Sequence, residues 1–367
     1  MLLMKKLTLA VRLEQTRISM KFSNNYVLYP SNKALIEAIE HYISLSHGLA
    51  AEEDIANTGA AVRDNFIYTR GNYEQLRYNS SILESARETL EKILNSTSLK
   101  DSPLDRVALQ NSLGNILAAL AQRSEDADLF EKAIALFDSA LEVSSQEENP
   151  QEWAATQYNL GTATQALGRL QGDSKLLKSS VVAYTNALLE WSREKNPEQW
   201  ASAMHQLGST FHAHGMLLTG TRTFQKSVVA YKNALAALDA EDNALEMAAT
   251  HNNLGAVLHH LGESEENAEL LEEAVISYDT ALTVCMEQQL PFHLAVLCRV
   301  NKSTARGVLA ELTKDAVMAE EAMDEFELII ECFDNALQPL CRKHCEEQFI
   351  KVQSLASSIK KVELEAG

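Results

Sequence analysis

The chain has 367 residues, 46% of them hydrophobic, and a net charge of −19 from 51 Asp and Glu against 32 Lys and Arg. So large an acidic excess disfavours nucleic acid and anionic membranes, both of which are held by Lys and Arg that displace counterions. Five cysteines, an odd number confined to residues 285–345, and the lack of any apolar run of bilayer length speak against a disulfide framework and a membrane span, so a reduced, cytoplasmic protein is expected.

Residues 1–30 stand apart. They carry Lys5, Lys6, Arg12, Arg17 and Lys21 against Glu14, a net +4 that leaves −23 for the remainder. The apolar run Leu7 to Val11 is cut by Arg12 before it could act as a signal core. Leu7, Leu9, Val11 and Leu13 alternate with Thr8, Ala10, Arg12 and Glu14, and Ile18, Met20 and Phe22 alternate with Ser19 and Lys21. A period of two reads as a small β-hairpin, or as strands added to another chain, which makes this segment a candidate surface for homo-oligomerisation. Leu3, Leu7 and Val11 also fit one amphipathic helix, and the sequence leaves both readings open. Next, Ser31 can cap a helix bearing Leu35, Ile36, Ile39 and Ile43 that Gly48 would end, so residues 31–55 are expected to be a capping helix.

Residues 56–337 repeat with a period of 47. Pro103, Pro150, Pro197 and Pro291 fall on one series, with Ala244 in its gap; Leu113-Gly114, Leu160-Gly161, Leu207-Gly208 and Leu254-Gly255 form a second; Phe137, Tyr184, Tyr231 and Tyr278 a third. A fixed period in this range means one supersecondary unit stacked on itself, each copy burying its apolar face on its neighbours. Few Pro and Gly, at 6 and 14, make the body helical. Within residues 150–196, Pro150 suits a first helical turn, and Trp153, Leu160, Ala163 and Leu167 recur at three- and four-residue steps as a buried stripe. Gly168 then offers the positive φ that ends a helix, as do Gly215 and Gly262. The series Asn79, Asp126, Asp173, Gly220 and Asn267 supplies N-caps for a second helix and reveals a worn copy over residues 56–102. Behind each cap stand a small residue, a ring and a small residue: Ala133, Phe137, Ala140; Ser180, Tyr184, Ala187; Ser227, Tyr231, Ala234; Ala274, Tyr278, Ala281. Small residues let two helices approach while the ring fills the space between pairs, so the rings are core. In the last copy, residues 291–337, an insertion of one residue moves the cap to Asp315 and the triplet to Ala322, Phe326 and Ile329. Residues 338–367 then form a C-terminal capping helix and tail, with Leu340, Phe349, Ile350, Leu355 and Ile359 as its inner face.

Leu-Gly in a first helix, small-xxx-aromatic-xx-small in a second, and Pro at the junction resemble the tetratricopeptide repeat, well over residues 103–290 and loosely over 56–337. The usual unit is about 34 residues, so the resemblance is to a long form with both helices extended, similar to repeats of bacterial regulatory and scaffold proteins. HEAT and armadillo repeats, at about 40–47 residues, match the length, but the Leu-Gly and small-aromatic-small signals decide against them. The resemblance implies an all-α, right-handed superhelical solenoid of six helix-turn-helix repeats, the first and last degenerate.

The resemblance also implies that first helices line a concave groove that binds a peptide. Offsets −6, −3, +1 and +4 from each Leu-Gly glycine lie off the buried seam and define its stripe. The polar members are Asn111, Asn115, Tyr158, Thr162, Gln165, His205, Ser209, His212, Asn252, His259, Arg299 and Arg306. Alanines at Ala108, Ala118, Ala155, Ala249 and Ala256, with Ser202, Val296 and Ser303, complete twenty positions without one carboxylate. Asn, Gln and Tyr suit an extended backbone, Arg299 and Arg306 suit a carboxylate, and His205, His212 and His259 are expected to gain charge as pH falls. The expected partner is therefore another protein or a peptide segment of polar or acidic character, held by a non-enzymatic scaffold or adaptor. The alternative is a ligand-gated regulator that signals groove occupancy through residues 1–30. No cofactor is expected, since phosphate loops, nucleophile elbows and paired catalytic carboxylates are missing. The histidines between 205 and 260 lack the local pair a catalytic zinc site wants, and Cys341, His344 and Cys345, which share a helix face, read first as structural side chains and second as zinc ligands.

Overall fold

The computed structural model of the protein describes residues 80–95, 103–218, 220–239, 243–290, 292–332 and 339–366. Expectations for residues 1–55 and for the first helix of the worn copy lie outside the described residues. Among those described there are twelve α-helices and no strand. They fall into two compact units that meet in sequence at Leu217 and Leu218, between the two helices of the copy that starts at Pro197. The N-terminal unit holds α1 (Ser80–Asn95), α2 (Pro103–Ser124), α3 (Ala127–Val143), α4 (Pro150–Gln171), α5 (Ser174–Glu190) and α6 (Pro197–Met216). The C-terminal unit holds α7 (Arg222–Leu235), α8 (Ala244–Glu265), α9 (Ala268–Glu287), α10 (Phe292–Thr313), α11 (Ala316–Cys332) and α12 (Pro339–Ala366).

Within each unit every helix packs on the next, as a helical repeat requires. First helices of successive pairs also touch, α2 with α4, α4 with α6, α8 with α10 and α10 with α12, and second helices do not approach one another to that extent. Each unit therefore bends towards its even-numbered helices, which form the inner layer.

The residues that set the period explain this packing. Gly114, Gly161 and Gly255 each lie under the ring of the following helix, so closely that an added Cβ would sit 2.6 Å from Phe137 Cε1, 2.8 Å from Tyr184 Cε1 and 2.8 Å from Tyr278 Cδ1. Phe137, Tyr184, Tyr231 and Tyr278 are all buried, as are the small residues that flank them. Pro150 and Pro197 occupy first turns, and Asp126, Asp173 and Asn267 cap α3, α5 and α9 through their side-chain oxygens. In the slipped copy Asp315 accepts from Met318 N at 2.9 Å, and Ala322, Phe326 and Ile329 are fully buried.

Expectations for five residues need correction. Gly168, Gly215 and Gly262 do not end helices; they lie buried inside α4, α6 and α8. The reason at Gly168 and Gly262 is proximity, since a Cβ on either would come within 3.1 Å of the next helix. The left-handed turn falls four residues later, at Gly172 and Glu266, and the same series includes Glu125 and, after the slip, Lys314. Gly220 gives way to Thr221 as the residue before α7, and no side-chain cap bond forms there. On α12, Ile350 is 64% exposed, and the buried face is Cys345, Val352, Ala356 and Ile359, with Val352 filling the space above Gly307. Expectations for the side chains of Leu340 and Cys341 lie outside the described residues.

The inner polar stripe as a candidate functional site

The stripe expected to face solvent is largely a set of hydrogen bonds between successive first helices. In the N-terminal unit, Asn111 donates from Nδ2 to Thr156 Oγ1 at 2.8 Å and to its own helix at Val107 O, and it accepts from Asn159 Nδ2 at 3.4 Å. Farther along, Gln165 Nε2 donates to Ser209 Oγ at 3.1 Å, Arg169 donates to Ser209 O at 2.8 Å and to Ser209 Oγ, and Ser174 Oγ meets His214 Nε2 at 2.8 Å. Tyr184, from the outer layer, reaches in and donates to Gln165 Oε1 at 2.8 Å, with Thr162 Oγ1 at 3.2 Å. Tyr158 is buried edge-to-face on Tyr184 and tilted on Trp191, with centroids 5.6 and 5.5 Å apart.

Gln165 and Ser209 are thereby buried, His205 is buried too, and Asn115, Thr162 and His212 keep partial access to solvent. Parts of the stripe, Gln165 and Ser209 among them, lie nearer the neighbouring first helix than the period alone indicates, because first helices touch one another. The correction has a benefit for the fold: polar groups buried between helices need partners, and Asn111, Gln165 and Asn252 find them on the next copy.

The C-terminal unit follows the same plan. Asn301 Nδ2 donates to Asn252 Oδ1 at 2.9 Å, and Thr304 Oγ1 meets His344 Nε2 at 3.3 Å. Arg299 and Arg306, expected to be open to a ligand carboxylate, carry carboxylates of α11: Arg299 Nη1 stands 3.0 Å from Glu325 Oε1, and Arg306 pairs with Glu321. Each arginine side chain retains 26% exposure. Lys302 joins Asp279 at 2.9 Å and Lys351 joins Glu311 at 2.9 Å.

The histidines differ from expectation. Burial lowers His205 to about 4, helped by the Arg169 guanidinium, and lowers His259 and His260 to about 4, with Lys351 and His344 beside His259 acting in the same direction. His251 and His344 are lowered by burial as well. His205 and His259 are thus neutral through physiological pH and do not add charge there. His259 Nε2 lies 3.9 Å from Glu263, too far for a hydrogen bond, and its ring stacks on His260, which stacks on Phe224.

The residues that sequence reasoning missed are Thr156, Asn159, Arg169 and Asn301, the partners that complete these ladders. A signal for them existed: each bond spans 40 to 49 residues, close to one period, so polar residues near the stripe could have been paired across copies. Among the described residues no group of three His, Cys, Asp or Glu could hold a metal ion, and no helix is long and apolar enough to cross a membrane. What the stripe presents is a row of amide, hydroxyl, imidazole and guanidinium groups, several of them fixed by their neighbours. No family model matches the chain, and no curated protein matches it.

Proposed function

We propose that the protein is a tetratricopeptide-like, right-handed solenoid that works as a protein-interaction scaffold and not as an enzyme, its inner helices holding a polar or acidic segment of a partner. One observation carries this reading: carboxylates are absent from the inner stripe and crowded on two outer helices of the C-terminal unit. The twenty inner positions hold no carboxylate, whereas the outer helices α9 and α11 hold eleven carboxylates and no Lys or Arg. An anionic segment is repelled from those two helices and meets donors on the inner stripe. Ladders that fix Asn111, Gln165 and Arg299 remove the side-chain entropy that binding would otherwise cost.

The accessible contacts are Asn115, Thr162 and His212 in one unit and Arg299 and Arg306 in the other, where a ligand carboxylate would share a guanidinium with Glu325 or Glu321. The test uses Asn115→Asp for the N-terminal unit and Arg306→Glu for the C-terminal unit, each titrated by fluorescence anisotropy against a library of extended polar and acidic peptides. Binding that falls at least about tenfold in one variant, about 1.4 kcal/mol, supports the reading and names the unit involved. Binding unchanged in both, or no peptide bound by the wild type, would remove it.

A further inference from the structure

The outer layer of the C-terminal unit carries a second pattern, independent of the inner stripe. On α7 the exposed face consists of Arg222, Gln225, Lys226, Val229, Lys232 and Asn233, with three bases and no acid. One period later, on α9, the positions of Arg222, Lys226 and Lys232 are held by Glu269, Glu273 and Asp279, all exposed. The charge is reversed at three equivalent places. Between them the apolar residue is kept: Val229 is 59% exposed and Ile276 is 64% exposed. The two helices are neighbours in the outer layer, joined by Lys232 Nζ and Glu273 Oε2 at 3.1 Å.

A face with a basic ridge beside an acidic ridge, each centred on an exposed branched side chain, is complementary to itself. We propose that two copies of this chain associate through α7 and α9, related by a twofold axis that runs along and between the two helices, so that α7 of each copy lies on α9 of the other. Such an axis opposes unlike charges in both halves of the contact and brings Val229 and Ile276 into one apolar strip. An axis across the helices would set α9 against α9, acid on acid, and is disfavoured. A separate protein would need to carry both ridges in matching order, and a second copy has them by construction.

The size of the patch sets the strength. With 14 residues, α7 is about 21 Å long, and two helices side by side are about 20 Å wide, so each copy covers about 400 Å². Stable dimers bury about 800 Å² per partner, so the contact forms reversibly at high concentration and weakens as salt screens the ridges.

Sedimentation velocity on the full chain, from about 10 to about 500 µM, tests it. The expected result is a reversible dimer in about 50 mM salt whose Kd rises at least about tenfold in about 500 mM salt. Lys226→Glu with Lys232→Glu sets acid opposite acid at two of the three equivalent places, and Glu273→Lys with Asp279→Lys sets base opposite base at the same two; each variant alone is expected to be monomeric. Mixed in equal amounts they are expected to form a heterodimer, since each supplies the charge the other lacks. All four sites are exposed, and circular dichroism checks that both variants fold; Val229→Asp, which leaves the charged positions intact, is expected to remain monomeric too. A wild type that is monomeric throughout overturns the proposal, as does a dimer that survives each reversal, or a mixture that stays monomeric while both variants are folded.

Discussion

Replacing Gly161 with Ala tests the packing argument at its tightest point. On helix propensity alone the change should stabilise, since Gly inside a helix costs roughly 0.5–1 kcal/mol relative to Ala. The site opposes that gain. An added Cβ would stand 2.8 Å from Tyr184 Cε1 and 2.9 Å from Cδ1, and Tyr184 is fully buried with its hydroxyl bonded to Gln165. Overpacking of this kind costs about 1–3 kcal/mol, and a ring that moves aside weakens a hydrogen bond worth about 0.5–1.5 kcal/mol. The net expectation is a loss of about 1–3 kcal/mol, or roughly 3–10 °C in the melting temperature of a unit this size. Urea titration followed by circular dichroism gives the value. The double variant with Tyr184→Leu separates the causes, because once the ring is gone the Ala should stabilise, and the coupling between the two sites should exceed about 1 kcal/mol. A Gly161→Ala protein as stable as the wild type or more so, with additive effects in the cycle, would refute the claim that the Leu-Gly glycine exists to seat the ring.

Other outcomes follow from the same structure. Glu266→Gly should stabilise by up to about 1 kcal/mol in chemical denaturation, because its φ of 49° is strained for a residue with a Cβ. Asp173→Ala should cost about 1 kcal/mol by the same measurement, since its carboxylate caps α5 by accepting from Lys175 N at 2.6 Å and from Leu176 N at 3.4 Å. Stability should fall as pH drops from about 6.5 towards 5, above the carboxylate range. His205, His259 and His260 have folded values lowered to about 4, so the unfolded chain binds more protons in that interval and acid favours it. Urea midpoints should show this slope, His259→Gln with His260→Gln should flatten it, and a wild-type midpoint constant between pH 7 and 5 would contradict the assignment.

The sequence revealed the architecture because a period of 47 marks the rings Phe137, Tyr184, Tyr231 and Tyr278 and the Leu-Gly glycines, and a repeated position has to serve the same contact in each copy. Phe137, Tyr184 and Tyr278 were legible as core for that reason. The helix ends were less so. Gly168 and Gly262 look like stops to a local reading, yet the need for two helices to touch there keeps them inside, and the turn falls on Gly172 and Glu266. The inner stripe was legible in composition and not in exposure. Periodicity names the face of one helix, but it does not tell how near the next first helix comes, and that distance buries Gln165 and Ser209 in a bond between copies. Arg299 and Arg306 were recognised as carboxylate-binding groups, and the carboxylates that already hold them, Glu325 and Glu321, belong to a second helix whose position no spacing rule supplies.

Hydrogen–deuterium exchange of the full chain with and without a saturating bound peptide tests the central claim most directly. Protection confined to the inner helices, around Asn115 and Thr162 or around Arg299 and Arg306, with α9 and α11 unaltered, is the predicted footprint. Protection confined to the outer helices would contradict the account, as would a bound peptide whose affinity is indifferent to its negative charge.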